Sequence, residues 1–178
     1  MPKPESPGTL AHKLGEQWPS YAAYVVSFVT IGVIWINHHA MLRRVKSVDH
    51  SVLVFNLLLL MLIGVLPWTT ALLAEYLRED AGQHLAAAIY GGSLLAMALS
   101  FFAMQRHLLV ARPELAVDEI TPAERAAIMR RNMAGLIPYL VATAAAPISS
   151  YLTLAICGVV GLYYALPATT ATSFSASA

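Results

Sequence analysis

The chain has 178 residues, of which 58% are hydrophobic and only 12% charged, with a formal net charge of +1 and a mean hydropathy of +0.63. Soluble domains lie near 45–50% apolar and about 25% charged, so this composition excludes an ordinary soluble fold and marks an integral membrane protein. The near-zero charge and the lack of a basic-aromatic patch exclude nucleic acid as a partner. The single cysteine, Cys157, excludes an internal disulfide.

Residues 1–17 contain no apolar core, so no cleavable signal peptide is read there, and the stretch is expected to be an extracytoplasmic tail. A membrane crossing needs roughly 20 predominantly apolar residues. Residues 18–36 form the first such run, with Trp18, Tyr21 and Tyr24 at one interface and Trp35 at the other. Residues 52–74 form the second, with Leu57, Leu58, Leu59 and Leu60 at its centre and Trp68 near its end. The third, residues 85–110, stops before Pro113. Residues 133–166 are too long for one crossing. Ala146-Pro147-Ile148-Ser149-Ser150 supplies the break, because proline disfavours helix at the residue before it and serine favours turns.

The fourth span is short and is expected to begin upstream. In Thr121-Pro122-Ala123-Glu124, Thr121 serves as N-cap, Pro122 takes the first helical position and Glu124 closes a capping box. That helix carries Arg125, Arg130 and Arg131 before entering the bilayer, and Pro138 is expected to kink it. The fold class is therefore all-α: a polytopic membrane helical bundle of five transmembrane helices forming one domain over residues 18–167. Residues 168–178 are expected to be a disordered cytoplasmic tail. Arg43, Arg44 and Lys46 follow the first span, and a run of arginines follows the third, whereas the intervening loop has only Arg78 against Glu75, Glu79 and Asp80. The positive-inside rule then puts both basic loops and the C-terminus in the cytoplasm and the N-terminus outside.

Trp35-Ile36-Asn37-His38-His39 places an indole, an amide and two imidazoles where the first helix meets the cytoplasm. Polar groups at membrane depth are costly and need partners. His38 and His39 are neighbours about 100° apart on a helix and cannot share a metal as i and i+4 ligands do. Histidines resting at the headgroup level and a hydrogen-bonded network between helices are the two readings of this cluster, with either histidine able to titrate near neutral pH. Ser20, Tyr24, Ser27, Ile31, Ile34 and His38 make one mildly polar stripe at helical spacing, expected to pack against a neighbour. Asn56 is expected to make an interhelical hydrogen bond, and Gly91-Gly92 to allow close helix approach. Glu75, Glu79 and Asp80 read as a solvated loop. No nucleophile, base and orienting group fall together, and no phosphate-cradling glycine loop or Thr-Val-Gly-Tyr-Gly filter occurs.

The ordered set Trp35-Ile36-Asn37-His38-His39, Leu42-Arg43-Arg44, Val48-Asp49, Asn56-Leu57-Leu58-Leu59-Leu60, Leu66-Pro67 and Thr70-Ala71-Leu72-Leu73-Ala74-Glu75-Tyr76 resembles the prokaryotic branch of the transmembrane protein 175 family. The resemblance implies a potassium-selective cation channel subunit of the cell membrane, with six helices per subunit and a homotetramer around a central pore. It implies no enzyme activity and no cofactor. It places Trp35, Asn37, His38, His39 and Asn56 in an interhelical hydrogen-bond network facing an Arg-x-x-x-Phe-Ser-Asp signature on a first, pore-lining helix. That signature does not occur in this sequence, and Phe174-Ser175-Ala176 is no substitute. The expectation is a true start upstream of Met1 and five of six helices in the chain as written, with its pore-lining residues unassigned and a truncated, non-conducting subunit as one reading of it. A non-conducting membrane scaffold that packs with a partner is the alternative function, and a metal-dependent membrane enzyme the third.

Overall fold

A computed structural model describes residues 10–79, 81–117 and 120–165 of the chain. Six α-helices follow in order: α1 (Leu10–Glu16), α2 (Trp18–Leu42), α3 (His50–Tyr76), α4 (Gln83–Arg106), α5 (Pro122–Ala145) and α6 (Ser150–Ala165). A π-helical turn, His107–Ala111, extends α4, and a short 3-10 turn, Pro113–Leu115, follows it. The tail after Pro167 falls outside the described residues.

Local chemistry sets the helix ends. Asp49 caps α3, its carboxylate accepting the Val52 N–H at 2.9 Å. The expected capping box opens α5: the Thr121 hydroxyl accepts the Glu124 N–H, and the Glu124 carboxylate accepts the Thr121 N–H. Pro147 separates α5 from α6 as expected, and Pro138 and Pro67 lie inside α5 and α3. At the α3–α4 turn Gly82 has φ +90°, and a Cβ there would lie 2.9 Å from the Tyr76 ring, so only glycine fits without strain.

The helical bundle is that of a membrane protein. Three helical stretches are long and apolar enough to cross a bilayer: residues 20–42, 50–76 and 83–111. α3 alone has 27 residues, about 40 Å of rise against a hydrocarbon core of about 30 Å. α5 falls short in hydropathy because Arg125, Arg130 and Arg131 occupy its first half, and α6 has only 16 residues. These two form a hairpin that packs against α2 and α4.

α3 and α4 pair most extensively, and α4 also contacts α5 and α6. The buried positions of α3, Val52, Leu59, Leu66 and Leu73, recur every seven residues. On α4 the buried series Ala87, Tyr90, Leu94, Met97, Met104 and Leu108 follows steps of three, four and seven. A seven-residue period of buried positions is the spacing that knobs-into-holes packing between two helices uses. Lipid is as apolar as leucine, so such seams gain from close packing rather than from water exclusion. Small residues serve that purpose. A Cβ on Gly91 would lie 3.1 Å from the Thr143 hydroxyl and 3.2 Å from its Cα, so α4 and α5 touch there at backbone distance. Gly161 similarly admits Thr30 of α2 at 3.2 Å. Gly92, by contrast, faces open space.

The connections gather at two faces. At one, Val45 and Ala116 form an antiparallel bridge, with Lys46 N–H donating to Leu115 O at 2.7 Å and Val117 N–H to Arg44 O at 2.8 Å. The two arginine-bearing connections, after α2 and after α4, are thus tied to each other. At the opposite face Trp18 stacks on Tyr151, and Arg78 lies 5.6 Å from the Trp18 ring centroid.

Candidate functional site: buried polar clasps between the helices

α2 runs one and a half turns beyond the predicted span end at residue 36, so the whole Trp35–His39 cluster is helical. His38 is buried and its Nε2 lies 2.9 Å from Asn56 Oδ1 on α3. The amide oxygen accepts, so Nε2 carries the proton, and one α2–α3 clasp is formed. The remaining cluster residues do not join it. The Asn37 side-chain amide donates to Val33 O of its own helix at 2.9 Å. Trp35 is 61% exposed, and its indole packs tilted against the exposed His39 ring at 5.5 Å between centroids.

A second clasp lies mid-span, where Ser27 of α2, Thr70 of α3 and Tyr90 of α4 meet. Ser27 Oγ is 2.7 Å from Thr70 Oγ1 and 3.1 Å from the Tyr90 hydroxyl, and all three residues are buried. Ser27 also lies 2.8 Å from Ala23 O, and Thr70 2.7 Å from Leu66 O. These four contacts share three hydroxyl protons, so three hydrogen bonds exist at any instant. Next to it Thr69 and Ser93 extend the polar contact between α3 and α4 at 3.2 Å. The polar stripe on α2 pointed to Ser27. Its partners went unread because Thr70 and Tyr90 lie in spans that are apolar all round, where no face stands out. Tyr24 leaves the stripe: it is 64% exposed and stacks on Phe28.

The third clasp lies at the arginine-bearing face. His107, in the π turn after α4, donates from Nε2 to Asp49 Oδ2 at 2.8 Å, and Arg112 lies 3.7 Å from the same oxygen. Arg112 also pairs with Glu114. The Val52 N–H, then the His107 hydrogen bond and the positive charges of His107 and Arg112, hold the Asp49 carboxyl below its ordinary value of 3.8. Asp49 thereby caps α3 and ties it to the end of α4 in one side chain. Sequence reading missed this pairing, since 58 residues separate the partners.

Glu79 is exposed in the connection after α3, as a solvated loop requires; Glu75 is also exposed but belongs to the last turn of α3, and Asp80 lies outside the described residues. Among the described residues no three of His, Cys, Asp or Glu come together as a metal site. Fold and clasps together define a polytopic helical membrane protein whose long helices are locked by buried polar contacts and whose basic connections meet on one face.

Comparison with known proteins narrows this class. A sequence model of the family described as endosomal/lysosomal potassium channel TMEM175 matches residues 1–67. A protein of Streptomyces collinus named a potassium channel is 46% identical over 92% of this chain and 79% of its own length. Another, from Chamaesiphon minutus, also named a potassium channel, is 39% identical over 88% of this chain and 76% of its own. The crystal structure of a lysosomal potassium-selective channel TMEM175 homolog from Chamaesiphon minutus superposes with a TM-score of 0.77 at 38% identity, covering 89% of this chain and 78% of that one. The chain belongs to the TMEM175 family.

Proposed function

We propose that the chain is a subunit of a potassium-selective cation channel in the cell membrane, assembled as a homotetramer. The observation that carries this reading is the 46% identity, over 92% of the chain, to a protein named a potassium channel. The superposition on a potassium-selective channel homolog at a TM-score of 0.77 supports it. Membership in a family of channels sets aside the metal-dependent membrane enzyme. Potassium ions and the lipid bilayer are the partners this function requires.

The basic connections joined through Val45 and Ala116 face the cytoplasm in this reading, following the positive-inside rule, with the N-terminus outside and the C-terminus inside. Trp35 and His39, exposed beside the buried His38–Asn56 pair, meet a neighbouring helix of the assembly, and with Asn37 complete the interhelical network. Supporting this is the exposure itself: a large indole and an imidazole set side by side on the outer surface of a packed helix. The subunit contributes a rigid frame, and its clasps fix how the helices present themselves to the pore.

Expression in a bacterial strain that lacks its own potassium uptake tests the function. Growth at limiting potassium, with no rescue of sodium-dependent phenotypes, is expected. Absence of rescue by a correctly inserted, oligomeric protein would favour the non-conducting scaffold instead. Accessibility of cysteines introduced at Lys46 and Arg78 tests the orientation. The native Cys157 is fully buried and gives little background, so Lys46 should label only from the cytoplasmic side and Arg78 only from outside.

A further inference from the structure

A cavity of about 800 Å³ opens between α2, α4, α5 and α6, within the range of small-molecule sites, roughly 300–1,000 Å³. Its two ends differ in chemistry. Arg44, Arg131, Asn132 and Gln105 line the end near the arginine-bearing face, while Ala98 and Val160 lie among apolar side chains at the other. Neither arginine makes an ion pair among the described residues. Asn132 donates to Gln105, bracing the polar end between α5 and α4.

Depth distinguishes a lipid from a soluble anion. The lining runs from Ala98 of α4 to Leu109 of the π turn that extends it, and from Val33 of α2 to Arg44 just past its end. Eleven residues of helix rise span about 16 Å, close to half of the roughly 30 Å hydrocarbon core. That length matches one leaflet, with the guanidinium groups at one end of the cavity and apolar walls along the rest. An adjoining cavity of about 460 Å³ shares Leu108, Leu109, Ala116 and Ile120 with it and is also lined by Arg125.

We propose that this cavity is a binding site for an anionic phospholipid, the phosphate held by Arg44 and Arg131 and one acyl chain lying between α2, α4 and α6. The assignment rests on the reading of the chain as membrane-embedded but is independent of ion conduction. Its readout is lipid retention, so its failure is distinguishable from failure to carry potassium.

The test purifies the full chain from mixed phosphatidylcholine and phosphatidylglycerol vesicles and measures retained lipid by native mass spectrometry. Phosphatidylglycerol should be retained over phosphatidylcholine. The double substitution R44Q/R131Q should lower retention about tenfold or more, as expected for the loss of two charge-assisted contacts. R43Q/R130Q removes the same charge from arginines outside both linings and should leave retention unchanged. On the unsubstituted protein, inorganic phosphate and chain-free glycerophosphoglycerol should fail to displace the lipid, which separates a lipid site from a phosphate site without relying on any variant. Equal retention of both lipids, equal effects of the two double substitutions, or displacement by inorganic phosphate would each overturn the proposal.

Discussion

Removing the Ser27 hydroxyl probes the second clasp most sharply, because Ser27 hydrogen-bonds both Thr70 and Tyr90. In S27A, Thr70 keeps its bond to Leu66 O, but the hydrogen-bond partner of the fully buried Tyr90 hydroxyl is gone. An interhelical hydrogen bond in a membrane protein contributes about 0.6 kcal/mol on average and up to about 1.7, whereas a buried hydroxyl left without a partner costs about 1–3 kcal/mol. S27A should therefore destabilise the bundle by about 2 kcal/mol. Y90F removes the hydroxyl together with its need for a partner and should cost only about 0.6 kcal/mol. The double variant S27A/Y90F creates no orphaned phenol, so its cost should fall below the sum of the single costs by about 1 kcal/mol. Loss of helical circular dichroism during sodium dodecyl sulfate titration in mixed micelles, for all four proteins, closes the double-mutant cycle. Strict additivity, or S27A no more harmful than Y90F, would refute the clasp as described.

Asp49 should make stability pH-dependent in one direction. Its folded pKa lies below 3.8, so its stabilisation is complete above that value and is lost as pH falls through the folded pKa. Acid titration of D49N should lack this loss, and an equal acid transition in both proteins would contradict it. Gly91→Val should destabilise by about 1–3 kcal/mol through overpacking, since its Cβ would meet the Thr143 backbone at 3.2 Å, while Gly92→Ala, with nothing within 4 Å, should be tolerated. Thermal denaturation in detergent compares the two. N56L should leave the buried His38 Nε2–H without its acceptor and cost about 1–3 kcal/mol, largely relieved in H38L/N56L, as the same denaturation assay will measure.

Punctuation was well read from the sequence, and pairing was not. The capping box at Thr121, the break at Pro147 and the exposure of Glu75 and Glu79 follow from local chemistry that acts within a few residues. The His38–Asn56 contact was half legible: an amide and an imidazole in apolar helices must each find a partner, though spacing does not say which. Gly91 and Gly92 show the same limit, since only the first meets a neighbour. The seam of α3 was hidden although Val52, Leu59, Leu66 and Leu73 keep a seven-residue period. The exposed Leu57, Leu60 and Met61 are equally apolar, so hydropathy carries no contrast between the two faces. Asp49–His107 was invisible for a different reason: the π turn that turns His107 toward Asp49 has no marker in the sequence.

Ion flux tests the central claim most directly. Purified protein is reconstituted into liposomes loaded with potassium, diluted into potassium-free buffer, and followed by a membrane-potential dye, with sodium-loaded liposomes in parallel. The account predicts a protein-dependent potential in the potassium-loaded vesicles that collapses when external potassium is restored, and a much smaller one with sodium. Equal responses to the two cations, or none from a folded and oligomeric protein, would contradict it.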